Sequence, residues 1–252
     1  MRDGSHQHGG TRASRQAAAP VLHSTVLDTL GMEITSGEHP ARAVLTLERL
    51  QRRFQVSRTV MREAMRILES MNLVRSRRRI GIVVQPMGEW RVFHPRVIRW
   101  RLDGPGRDEQ LRSLTELRVA VEPLAAAGAA RHASDADRER IVALADQMRE
   151  VGEAGRLEAF LELDIEYHSL LLTSCRNEMF AALTDVVAEV LAGRTHHGLM
   201  PGHPEPVALD LHEQVARSVQ AADPPGAETA MRQLLEEVQH AVVRPDPSAP
   251  KT

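Results

Sequence analysis

The chain has 252 residues, 42% of them hydrophobic, which is enough for two compact domains with a core each. No apolar run approaches the length that spans a bilayer, the start MRDGSHQHGGTRASRQAAAP lacks a hydrophobic signal region, and the single Cys175 excludes an internal disulfide; the expectation is a cytoplasmic protein with a buried, inert thiol. A formal net charge of −2 hides a division, because residues 1–102 carry 18 arginines against 8 acids while residues 103–252 carry 14 Lys and Arg against 26 acids, as expected when one half meets a polyanion.

Residues 1–19 read as a disordered tail in which His6 and His8 form no metal site, and 20–86 as the first domain. Val21 to Ser36 has Leu22, Val26, Leu30 and Ile34 near one face, the pattern of a helix ending around Gly37. A shorter helix follows over Thr46 to Phe54 with Leu47, Leu50 and Phe54 inward, and Gln55-Val56 supplies a tight connection. In QVSRTVMREAM, Ser57 is an N-cap, and Val60, Met61, Ala64, Leu68 and Met71 recur at helical spacing as a core face. The other face carries Arg58, Arg62 and Arg66 at successive i,i+4 steps with Thr59 beside them, a ridge that fits a major groove. Leu73-Val74 and Ile80, Ile82, Val83 and Val84 read as two short strands around the charged turn Arg77, Arg78, Arg79 and Gly81, a wing. From Arg42 to Arg79 there are eleven arginines against three acids, a bias that a phosphate backbone rewards by counterion release. On periodicity alone an arginine-striped helix is equally a solvated surface helix; helix, tight turn, capped basic helix and basic hairpin in that order select DNA binding.

Residues 87–108 should be a linker, yet they hold Trp90, Phe93 and Trp100, three of the seven aromatics, besides Val92, Val97 and Ile98. An ordered connection packed on the second domain is expected. From there the pattern is helical: Glu109–His132, Ser134–Gly152, Arg156–Cys175, Glu178 to about Arg194, Pro206–Ala221 and Pro224–Val243, with Ser134 and Asp223 as N-caps and no strand pattern. The fold class is mainly α, a winged helix-turn-helix followed over 109–243 by an antiparallel helical bundle, with 244–252 a disordered tail. Asp164 and His168 lie one turn apart and face the same way, so a carboxylate and an imidazole can share a cation, and His212 lies on a separate helix. The same three residues could instead form only a hydrogen-bonded polar cluster. His196, His197 and His203 sit near a Gly- and Pro-rich loop where exposure is expected, and His240 points away from the cluster.

The segment VLTLERLQRRFQVSRTVMREAMRILESMNLVRSRRRIGIVV resembles the winged helix-turn-helix of GntR-family bacterial transcription regulators, whose usual pattern is VSRTPVREALRxLxxxGLV followed by a Gly-containing wing. The resemblance implies that Ser57, Arg58, Thr59 and Arg62 contact DNA, with Arg78 and Arg79 in a wing that reaches the minor groove; Arg49, Arg66 and Gly81 complete the candidate set. Two departures stand out: Glu48, beside Arg49, occupies a position where many members have Arg, and Asn72 replaces the Gly of GLV. EWRVFHPRVIRWRL resembles the linker of members that regulate sugar-acid catabolism. DIEYHSLLL, LHEQVARSV and AMRQLLEEV resemble the all-helical effector-binding and dimerisation domain, FCD, of the FadR-like subfamily, so the likeness spans Val21 to Val243.

In that subfamily a DxxxH pair, a later His and a final His in AMRxHL surround a divalent metal such as zinc. Asp164, His168 and His212 match the first three, but Leu234 stands at the fourth, so the resemblance implies a metal that is weakened or lost, or is completed by water or an effector oxygen. Arg118, in LTELRVAVEPLA, matches an arginine that points into the effector cavity and implies an organic-acid effector such as a sugar acid or hydroxy acid, with Arg194 as a second candidate; an ion pair of Arg118 with Glu122 or Glu116 is the competing reading. The expectation is a homodimeric repressor of a palindromic operator, not an enzyme. A hydrolytic metal site would lack a general base and an oxyanion device, and a purely architectural DNA-binding protein would leave the polar residues of the bundle without a role.

Overall fold

The computed structural model describes residues 24–243. The expectations for both tails, His6, His8, the start of the first helix and the His240 side chain lie outside the described residues or side chains. The chain divides into two units at Pro105/Gly106.

In the first unit, helix α1 (24–35) ends before Gly37, whose φ is +86°. Strand β1 (Val44–Leu45) and helices α2 (Leu47–Phe54) and α3 (Arg58–Ser70) follow. Thr46 and Ser57 cap the two helices by accepting from the backbone N–H groups of Arg49 at 3.4 Å and Val60 at 3.3 Å. Between them Gln55 turns the chain through the left-handed region, φ +53°. Asn72 also has positive φ, +58°, which explains how it replaces glycine there, since Asn tolerates this conformation better than most side chains. Strands β2 (Val74–Arg77) and β3 (Gly81–Val84) form the wing, and the sheet order is β1-β3-β2, antiparallel throughout, with Leu45 opposite Ile82 and Arg77 opposite Gly81. The strand β1 is absent from the sequence reading because two residues are too few to show alternation. Leu27, Leu30, Leu50, Met61, Leu68 and Ile82 belong to one core beneath α3 and the sheet.

The aromatic segment corrects one expectation. A short 3-10 turn (Met87–Glu89) leads to α4 (Pro95–Asp103), and Trp90, Val97 and Trp100 belong to the core of the first unit, not to that of the second as expected. Trp100 lies on α1 at Gly31, where an added Cβ would come within 2.4 Å of the ring. Its indole N–H donates to Asp28 Oδ1 at 3.2 Å, and Arg96 reaches the same oxygen at 3.1 Å. Gly31 and Asp28 are one turn apart on α1, so they make a socket that exists only once the helix is formed.

The second unit is helical among its described residues: α5 (Arg107–His132), α6 (Asp135–Glu153), α7 (Leu157–Ser174), α8 (Glu178–Ala181), α9 (Thr184–His196), α10 (Pro206–Gln220) and α11 (Pro224–Val243). Ser134 and Asp223 cap α6 and α11 as expected, accepting from Asp137 N–H at 3.2 Å and Gly226 N–H at 3.1 Å. The expected helix over Glu178–Arg194 is broken at Ala182–Leu183, where the Thr184 hydroxyl donates to the Ala181 carbonyl at 3.1 Å and competes with helix continuation. Small residues of α5 (Ala126, Ala129, Ala130) join Met231, Leu234 and Leu235 of α11 in the main core. Cys175 is buried and free, against Gly128, where an added Cβ would lie 2.9 Å from it. No described helix is long and apolar enough to cross a membrane.

Candidate functional site

The first unit presents a basic surface built on a rigid base. With Met61, Ala64, Met65 and Leu68 buried, the opposite side of α3 leaves Arg58, Thr59, Arg62 and Arg66 exposed. Arg66 has a weak surface partner in Glu63 at 3.4 Å. Arg49 and Glu48 are both exposed in the first turn of α2, whereas Arg53 is committed elsewhere: it donates 2.8 Å to Glu33 Oε2 and makes a second, shorter bond to Oε1, tying α2 to α1. Arg78, Arg79 and Ile80 form the exposed tip of the wing, with Arg79 at φ +65°. Gly81 has a backbone reason for its identity, since its φ is +121° and an added Cβ would lie 2.8 Å from the Leu45 carbonyl.

In the second unit, α5, α7, α9, α10 and α11 bring the predicted residues around one cavity of ≈ 70 Å³. Asp164, His168 and His212 line it, all buried, and one ligand atom of each lies within 4.8 Å of the others. His212 Nδ1 is 2.6 Å from the Ala208 carbonyl and His168 Nδ1 is 2.7 Å from Glu122 Oε2. These acceptors assign the protons to Nδ1 in the neutral rings and leave both Nε2 lone pairs turned inward. Both Nε2 atoms then face the same oxygen, Asp164 Oδ1, at 3.2 Å and 3.3 Å. Although these distances suit ion pairs, Asp164 Oδ1 and His212 Nε2 have no aligned hydrogen-bond partner. Tyr167, fully buried, fixes the arrangement by donating its hydroxyl to the His212 carbonyl at 2.8 Å and standing edge-on to both imidazoles.

Asp164 Oδ1 and His212 Nε2, two inward acceptors without an aligned donor, repel one another unless a proton or cation sits between them, while His168 Nε2 beside them is within reach of Arg118 Nη2. In a tetrahedral zinc site with bonds near 2.0–2.2 Å, ligand atoms stand about 3.3–3.6 Å apart, close to the 3.2 and 3.3 Å from Asp164 Oδ1 to the two Nε2 atoms, so the donor set fits a small divalent ion. The Leu234 side chain, 1% exposed, occupies the α11 wall and offers no ligand. His196 and His203 are exposed and, with His197, stand apart from the three-residue group.

Arg118 lines the cavity but is engaged by Glu122, donating from Nε to Oε1 at 2.6 Å and from Nη2 to Oε2 at 3.2 Å, and Nη2 also lies 3.3 Å from His168 Nε2. Of the two acids weighed in the sequence, Glu122 is therefore its partner; Glu116 is exposed. Burial pushes Glu122 up, but Arg118 and His168 outweigh it and hold the carboxyl down at about 2. Asp164 follows the same logic: burial raises it and the two histidines bring it well below the usual carboxylate range. Burial lowers His168, but Glu122 and Asp164 raise it, against Arg118, to above its ordinary value. Arg194 differs. It is 6% exposed, its Nε has no hydrogen-bond partner, and burial together with Arg118 lowers it to about 10, so it remains a cation turned on the cavity. The i,i+4 spacing of Arg118 and Glu122 was readable in the sequence, but the reach of Glu122 across to His168 was not.

Residues 22–84 match bacterial regulatory proteins of the gntR family, and residues 113–237 match the FCD domain. The galactonate operon transcriptional repressor of Escherichia coli K12 is 28% identical over 214 residues, 83% of this chain and 92% of that protein. A second E. coli K12 protein, described as the uncharacterized HTH-type transcriptional regulator YieP, is 25% identical over 224 residues, 88% of this chain and 96% of its own length. Among solved structures, Lar of Listeria monocytogenes has a TM-score of 0.52 at 18% identity, over 88% of this chain and 96% of that one, a likeness of fold alone. The two matched segments carry the arginine-bearing helix with its wing and the cavity in turn, and the chain belongs to the gntR family of bacterial transcriptional regulators, with an FCD domain following its winged helix.

Proposed function

We propose that the protein is a homodimeric cytoplasmic repressor whose two winged helices bind the half-sites of a palindromic operator, and whose FCD domain releases the DNA when it takes up a small organic acid, a sugar acid or hydroxy acid on the sequence resemblance. The observation that carries the sensing half is the convergence of unpartnered Asp164 Oδ1, His212 Nε2 and Arg194 Nε on one cavity. Asp164, His168 and His212 would hold a divalent ion, and Glu122, accepting from His168 Nδ1, would orient that ring. Such an ion would supply a Lewis-acidic position to a carboxylate of the acid, since Leu234 offers no fourth protein ligand. Arg194 supplies a second cationic contact to the same anion, and Arg118 keeps Glu122 charged. Repression is supported by the likeness to the galactonate operon transcriptional repressor, and DNA contact by the exposed ridge of Arg58 and Arg62. For the acid to release DNA it must bind the free and DNA-bound arrangements with different affinity.

The test combines three measurements on the full chain. Footprinting on the DNA flanking its gene should protect two symmetric half-sites, sedimentation should give a dimer, and elemental analysis after incubation with Zn²⁺ should give one ion per chain, held more tightly by Leu234→His. A single unsymmetric footprint, or a monomer at footprinting concentrations, overturns the dimer; absence of bound metal overturns the three-ligand site.

A further inference from the structure

The choice among organic acids is written on the cavity wall, and it rests on the acid-effector reading above. One end is polar, formed by Arg194 and the Asp164, His168 and His212 group. The rest is of a different kind. Leu234, Leu235 and Val238 line it from α11, Leu191 from α9 and Phe160 from α7, and Met200 comes from the loop that precedes α10. Not one of the described lining residues is Ser, Thr, Asn or Gln, the side chains that would receive the hydroxyls of a sugar acid. Of the remaining polar members, Arg118 is engaged by Glu122, and Glu205 and Glu237 are exposed carboxylates that accept hydrogen bonds but repel a second anionic group. A cavity of ≈ 70 Å³ has room for roughly five waters, hence for one short acid.

We infer that the effector is a short monocarboxylic acid with an apolar tail, its carboxylate at Arg194 and the Asp164–His168–His212 end and its tail against Leu234, Leu191 and Met200. Leu234 makes the α11 side of the wall apolar, which sets the class of acid that fits. Each methylene buried on that wall strengthens binding about fourfold. Each hydroxyl desolvated there without a partner weakens it on the order of tenfold.

The experiment is calorimetric titration and thermal melting of the full-length protein in Zn²⁺-containing buffer with matched acids. Pentanoate is set against glycerate, which has the same number of non-hydrogen atoms, and hexanoate against galactonate, which has the same carbon chain. The expected result is that pentanoate and hexanoate bind at least ~10-fold more tightly than their hydroxylated counterparts. Succinate should be as weak as glycerate. Arg194→Gln should remove the response to every acid, and Met200→Ser, at a partly exposed loop position, should weaken hexanoate more than lactate. Equal or tighter binding of glycerate and galactonate overturns the apolar-tail inference and leaves the acid-effector reading in place. Failure of all the acids to bind or to raise the melting temperature overturns both. Undiminished binding by folded Arg194→Gln overturns the placing of the carboxylate.

Discussion

The arginines of the two units are used in opposite ways. On α3 and the wing, Arg58, Arg62, Arg78 and Arg79 stand in solvent on a base whose apolar residues do the folding, so their charge is available to a partner at little cost to stability. In the bundle, Arg118 and Arg194 are almost completely buried, and each cation has to be offset within the protein or by what the protein binds. Arg118 is offset by Glu122; Arg194 has a partly unpartnered guanidinium and faces the cavity. A surface charge can therefore recognise a polyanion by number and spacing alone, whereas a buried charge recognises one small anion through whatever its neighbours leave unmatched.

Four substitutions or conditions would break or sharpen that contrast. The largest effect should come from Glu122→Ala, which strands Arg118 without its counter-charge and loosens His168; about 3–5 kcal/mol of stability should be lost in urea unfolding. A loss below about 1 kcal/mol would mean that Arg118 is solvated and the two sets of arginines are alike. Acid should probe the same pair in the unsubstituted protein. Glu122 and Asp164 titrate lower folded than unfolded, so the stability they contribute is fully present above their ordinary values near pH 4 and is lost as pH falls through the folded ones. For Glu122 that window runs from about 4.5 down to about 2, and melting at pH 3 should be markedly lower than at pH 6, with Glu122→Gln flattening the difference.

On the exposed side, Arg58→Ala or Arg62→Ala should each weaken operator binding by about 1–3 kcal/mol in fluorescence anisotropy while leaving the melting temperature unchanged. Each should also reduce the slope of log affinity against log salt by about one if it meets a phosphate. Unchanged affinity would return α3 to the status of a solvated helix. The smallest loss of stability is that of Ser57→Ala, which removes the α3 cap and should cost about 1 kcal/mol of it, with a larger loss of DNA affinity if the hydroxyl also meets DNA as expected. A larger loss of affinity than of stability would show the hydroxyl itself touching DNA.

Local chemistry made much of this legible in advance. The caps at Ser57, Ser134 and Asp223, the amphipathic spacing of α3 and the basic hairpin depend on neighbours within a few residues, so both fold classes and the exposed candidate residues could be read along the chain. The DxxxH spacing likewise put Asp164 and His168 on one face, and His212 was found opposite them. Illegible were features decided by elements distant in the chain. Trp100 could have covered either unit until Gly31 and Asp28 formed its socket on α1. The short strand β1 exists only because β3 is there to pair with it.

The sequence by itself thus determined which residues carry charge and which helices present them, and its family resemblance singled out Leu234 as a departure from the ligand set that the resemblance implies. Only the tertiary structure decided how those charges are spent. It gave Glu122 to Arg118 and His168 together, left Arg194 Nε without a partner, and lined the remaining wall of the cavity with Leu191, Met200 and Leu234. The physical reason is that pairing inside a protein depends on distance and desolvation among groups from five helices, and neither quantity is a function of spacing along the chain.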